Sequence, residues 1–127
     1  MDQLLWDQKQ PFKVRHNVLR TVRFFHNWKP KESRPEVVRA LGGLVETDLA
    51  DMAIDDLRRF EIFELSGKVY KQYARPGLDA PIIRRTIIRY AVAARRRPEE
   101  RAAAERFLAA LPERDRAIAR EIEDTER

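Results

Sequence analysis

Val14, Val18, Val22 and Phe25 recur at spacings of four, four and three, which lines them up along one face of a helix. That pattern predicts a first helix over about 12–28, with Pro30 just beyond its end. Apolar positions keep a helical period through the rest of the chain and predict further helices at about 33–45, 48–60, 62–74, 79–96, 98–111 and 113–124. Punctuation sharpens the boundaries. "SRPE" has the spacing of a capping box, with Glu36 placed to reach back to the Ser33 N–H. Thr47 is the expected cap of the third helix, Gly77 breaks the chain after the fourth, and Asp79 caps the fifth with Pro81 in its first turn. Pro98 and Pro112 open the last two. Strict apolar–polar alternation is nowhere sustained over a strand length. The expectation is an all-α, single-domain chain, 1–127, whose short connections make sequential helices antiparallel.

The pattern also repeats. A shift of 35 carries Val14, Val18, Val22 and Phe25 onto Leu49, Ala53, Leu57 and Phe60; a further 34 carries them onto Ile83, Ile87, Ala91 and Ala94. Each of these helices is followed by a second, giving three hairpins at about 12–45, 47–74 and 79–111 and a final helix at 113–124. The stretch "DAPIIRRTIIRYA" resembles the first helix of HEAT-like repeats, with Asp79, Ile83, Arg84 and Arg85 in the matching places. "RPEVVRALGGL" is similar to it in a poorer copy, and "TDLADMAIDDLRRF" departs from it by carrying Asp51 where the arginine would stand. The chain also looks like the C-terminal part of longer, uncharacterised bacterial helical-repeat proteins. The resemblance implies a fold, a right-handed stack of about three antiparallel hairpins (an α-solenoid) with a C-terminal capping helix, rather than an activity. It would place the second helices on a concave binding face, and so points to Lys68, Tyr70, Lys71 and Tyr73 as partner-binding residues.

Charge qualifies this picture. The net charge is +5, but it falls in blocks: +5 over residues 1–45, −5 over 46–66, +8 over 67–97 and −3 over 98–127. A dedicated nucleic-acid binder pools its positive charge on one surface; alternating blocks neutralise one another on folding. Around helix 79–96, Arg85, Arg89 and Arg96 form one strip and Arg84 and Arg95 another, with Ile88 and Val92 between them. The repeat offset sets Asp51 opposite Arg85 and Asp55 opposite Arg89 and Arg20, which predicts a structural charge ladder between stacked helices. The alternative is that Arg84, Arg85, Arg89, Arg95, Arg96 and Arg97 bind the phosphate backbone of a nucleic acid. Helix-end chemistry also accounts for "ARRRPEER": cations close one helix and Glu99 and Glu100 open the next.

The sequence offers no catalytic constellation and no cofactor or metal site. His16 and His26 lie on different sides of one helix, and Asp48, Asp51 and Asp55 share a face without a second acidic helix opposite. The glycines form no phosphate-cradling pattern, and the chain has no cysteine. "MDQLLWDQKQPF" is no signal peptide and no apolar run is long enough to span a membrane, so the expected location is cytoplasmic. Trp6, Trp28, Tyr70, Tyr73 and Tyr90 read mostly as core. Apolar residues Val18, Leu19, Val22, Phe24 and Phe25 spread over more than one face of the first helix. That excess predicts that the N-terminal face packs against upstream repeats of a longer protein or a second copy of the chain. The function these features favour is a non-enzymatic protein-interaction scaffold.

Overall fold

The computed structural model describes residues 19–125 except 22, 25, 48 and 75–80. The described residues are all-α: helices joined by turns, with no strand among them. A first helical segment lies within 19–28; the part expected over 12–18, with His16, falls outside the described residues. Six α-helices follow: α1 (Pro30–Leu44), α2 (Ala50–Arg59), α3 (Ser66–Lys71), α4 (Pro81–Ala94), α5 (Arg101–Ala109) and α6 (Glu113–Thr125). A single 3-10 turn, Gln72–Ala74, extends α3. The chain divides into two compact units, 1–53 and 54–127, with the division inside α2.

In the first unit, α1 buries Val37, Ala40, Leu41 and Leu44, spaced i, i+3, i+4 and i+7 as one helical face requires. The helix begins three residues before the expected Ser33 cap. Pro30 opens it, since its fixed φ suits the first helical position and its missing N–H loses nothing there. Ser33 is already inside: its N–H bonds the Lys29 carbonyl at 2.9 Å and its hydroxyl donates to the same oxygen at 2.7 Å. Thr47, by contrast, does cap the start of α2. Its buried hydroxyl accepts the Leu49 N–H at 3.1 Å and donates to the Leu44 carbonyl at 2.8 Å, tying the end of α1 to the start of α2. Thr47→Ala should therefore cost about 1–2 kcal/mol, and Thr47→Ser well under half of that. Urea unfolding followed by tryptophan fluorescence would measure it, because both tryptophans lie in residues 1–53.

The second unit starts with the end of α2, which stops without a glycine. Glu61 takes the left-handed conformation (φ 57°). The Ile62 N–H reaches the Leu57 carbonyl at 2.8 Å and the Glu61 N–H the Arg58 carbonyl at 3.1 Å, the two bonds of a Schellman motif. This turn sends Ile62 and Phe63 inward, and α3 starts at Ser66 rather than at 62. Pro81 opens α4 as expected; its proposed cap, Asp79, lies outside the described residues. Pro98 sits in a turn over 95–100 instead of opening a helix, and α5 begins at Arg101. α4 packs on both α5 and α6. Ile88, Ala91 and Val92 of α4 meet Leu108, Leu111 and Ile122, and Tyr70, Tyr73, Phe107, Ile118 and Ala119 close around them. Tyr90 is wholly buried, 5.3 Å from Phe63 between ring centres, and its hydroxyl donates to the Ile62 carbonyl at 2.9 Å.

Candidate interaction surfaces

Three of the six arginines of α4 and the turn after it face acids of their own unit. Arg85 reaches Glu121 of α6 at 3.5 Å, Arg95 pairs with Glu123 of the same helix, and Arg97 meets Glu61 at 2.8 Å while its guanidinium lies 5.8 Å from the Phe63 ring centre. Arg101 then donates to the Arg95 carbonyl at 3.2 Å, satisfying one of the acceptors that α4 leaves at its end. Arg89 and Arg96 are exposed and Arg84 is half-buried. Pairs of this kind contribute up to ~1 kcal/mol each, so their main effect is on how the helices register.

The acidic side of the expected ladder has a local partner. The Asp55 carboxylate, read as facing Arg89, accepts from Arg58 of its own helix at 3.0 and 3.1 Å. An i,i+3 neighbour needs no tertiary placement to arrive there, which is why it competes so well. Asp56, fully buried, lies 3.8 Å from Arg59. In the first unit Arg20 is exposed and Asp51 half-buried.

The residues expected on a concave face turn partly inward. The Tyr70 ring stacks on Phe107 at 4.6 Å and 10°, and Tyr73 meets the edge of the same ring at 5.5 Å and 86°. The Tyr73 hydroxyl donates to Asp115, a buried carboxylate in the first turn of α6. Ser66 donates to Glu100 at 2.8 Å. Burial first, and then the nearby Glu100 charge, push the Tyr70 phenol well above its ordinary range, and its hydroxyl makes no hydrogen bond. Of the four residues in this set, only Lys71 is exposed; Lys68 and both tyrosines are half-buried.

An open groove of about 310 Å³ lies between α4, α5 and α6, floored by Val92, Leu108, Ala109 and Ala119. Arg95, Glu105, Arg116, Arg120 and Glu123 form its rim. Those charges are engaged with acids nearby: Arg95 with Glu123, and Arg116 and Arg120 with Glu113 at 3.5 and 3.1 Å. No group of three or more potential metal ligands occurs among the described residues, and none of their helices is long and apolar enough to cross a membrane. Asp48, part of the acidic face considered above, lies outside the described residues.

The most distinctive surface is in the first unit. Within 19–28, Leu19 is buried and Arg23 and His26 are half-buried, while Arg20, Thr21, Phe24, Asn27 and Trp28 form one exposed face. Phe24 and Trp28 are each 61% exposed, with ring centres 6.0 Å apart. The Lys29 ammonium stands 4.9 Å from the centre of the Trp28 ring. Trp28 was expected in the core, and this corrects it. The signal was present in the sequence, as apolar residues on more faces of the first helix than one neighbour could cover. Spacing alone could not say which of them would be left outside. Comparisons of the chain with protein-family models, curated proteins and solved structures find no match.

Proposed function

We propose that this chain is a non-enzymatic protein-interaction module, built as a stack of about three HEAT-like hairpins with α6 as its terminal cap. The observation that carries the reading is the Phe24–Trp28 pair, two large rings 61% exposed on one helical face. Interface hot spots are enriched in aromatic side chains ringed by polar contacts, and Arg20, Asn27 and Lys29 supply such a rim here. On the second unit, Lys71 of α3 is exposed as a separate candidate contact. The nucleic-acid reading is weaker: three of its six arginines, Arg85, Arg95 and Arg97, are paired with glutamates.

A photo-crosslinking residue in place of Asn27, which lies beside both rings, tests this in the native cells. The expected result is a defined protein adduct that disappears when Phe24→Ser and Trp28→Ser are added. Because both rings are exposed, the double variant should unfold within about 0.5 kcal/mol of the parent. Adducts to nucleic acid or lipid alone, or no adduct, would overturn the reading.

A further inference from the structure

We infer that the partner of the Phe24–Trp28 face is an acidic protein segment with an apolar centre; this rests on the interaction reading above. From Leu19 to Lys31 the sequence holds Arg20, Arg23, Lys29 and Lys31 and no carboxylate. The first acid, Glu32, lies 3.5 Å from Lys29. Arg20, on the same helical face as the rings, and Lys31, just beyond them, are both exposed, and neither pairs with an acid among the described residues. The contrast with α4 is chemical. There, Glu61, Glu121 and Glu123 answer the arginines from within the chain. Arg20 and Lys31 have no such answer among the described residues.

The same geometry separates the candidate occupants. A nucleobase needs an open ring face to stack on. The rings are 6.0 Å apart and inclined at 35°, too close to admit a base between them, and Lys29 lies over the indole. A membrane-surface helix needs a long apolar stripe. On this face Thr21 and Asn27 accompany the two rings, and the neighbouring Leu19 is buried. A second copy of the chain docking the same face would bring two faces carrying Arg20 and Lys31 together, a like-charge contact. An acidic segment presenting one or two apolar side chains satisfies both features. Its apolar residues cover the rings, and its carboxylates meet Arg20 and Lys31, where rim charges set the rate and specificity of encounter.

The test uses the purified full chain and fluorescein-labelled helical peptides of about 15 residues that share one Leu-Leu-Phe stripe and differ in Glu or Lys flanks. Vesicles of about one-third phosphatidylserine and an oligo(dT) of about twenty nucleotides complete the probe set. The Glu-flanked peptide should bind about tenfold tighter than the Lys-flanked one at low salt, and the gap should close as salt is raised. Phe24→Ser/Trp28→Ser should abolish binding of both peptides, while Arg20→Glu/Lys31→Glu should reverse the preference. Equal binding of the two peptides would overturn the acidic partner and leave the interaction reading standing. Binding to vesicles or oligo(dT) alone would overturn both, and binding to no probe would overturn the acidic partner.

Discussion

Tyr90→Ala should destabilise residues 54–127 by about 3–5 kcal/mol, and Tyr90→Phe by about 1–2 kcal/mol. The larger figure reflects complete burial: Tyr90 has no exposed surface and lies between Phe63, at 5.3 Å, and Tyr70, at 6.1 Å. Removing the ring opens a cavity that two aromatic neighbours, each held by its own contacts, refill poorly. Phenylalanine keeps the packing and loses one bond, leaving the Ile62 carbonyl without the hydroxyl that reaches it at 2.9 Å. That carbonyl follows directly on the left-handed Glu61, so the bond also fixes the turn after α2. All three tyrosines lie in 54–127 and both tryptophans in 1–53, so tyrosine near-ultraviolet dichroism reads this unit separately in a urea titration. If the phenylalanine variant lost as much as the alanine variant, ring packing would not be the main contribution.

The helices were legible because their apolar spacing is a property of each segment alone. The pattern over 81–94 needed no partner to identify it, and Pro81 marked its start. Boundaries failed where two local signals competed. Ser33 and Glu36 have the spacing of a capping box, but Pro30, three residues earlier, is suited to a first helical position and took it. The end of α2 was harder to read. Its Schellman turn normally announces itself with glycine, and here Glu61 occupies the left-handed position, leaving nothing in the sequence to find.

Surface chemistry was less legible than helices, for a related reason. The repeat offset sets Arg85 opposite Asp51 and helix-end chemistry accounts for Arg95, while in the structure both reach glutamates of α6. That pairing depends on how α6 lies across α4, which only the tertiary fold decides. Asp55 illustrates the opposite limit, since its arginine sits on the same helix and could have been read from spacing. Spacing reads Tyr70 and Tyr73 mostly as core, while the resemblance points to them with Lys68 and Lys71 on a concave face; Phe107, 34 residues on from Tyr73, draws both rings inward. The Phe24–Trp28 face was legible only as an excess of apolar residues, and its exposure is what makes it a candidate site.

Alkaline titration should show all three tyrosines ionising late, and the second unit losing stability before they do. Burial raises the Tyr73 phenol to about 12, with the hydrogen bond to Asp115 and that residue's charge adding to the rise and Arg84 and Arg114 opposing it. Burial is also the largest cause of the upward shift of Tyr70, with Glu100 second, and of Tyr90, where the Tyr70, Glu100 and Glu64 charges follow. A free phenol titrates near 10. Each of these groups therefore holds its proton more tightly in the folded chain than in the unfolded one. Their contribution is fully present below about pH 10 and declines as the unfolded state ionises and the folded state does not. For the wholly buried Tyr90 the decline is about 1.4 kcal/mol per pH unit above 10, continuing until the folded group itself titrates. Tyrosinate absorbance should consequently stay low through pH 10–11 and then rise in one steep step that coincides with loss of far-ultraviolet helical dichroism. Tyr73→Phe should lower the height of that step by about one-third, because it removes one of the three phenols. A gradual rise centred near pH 10 with the helical signal intact would mean that the rings are open to solvent, and the packing of Tyr70 and Tyr73 around Phe107 would have to be abandoned.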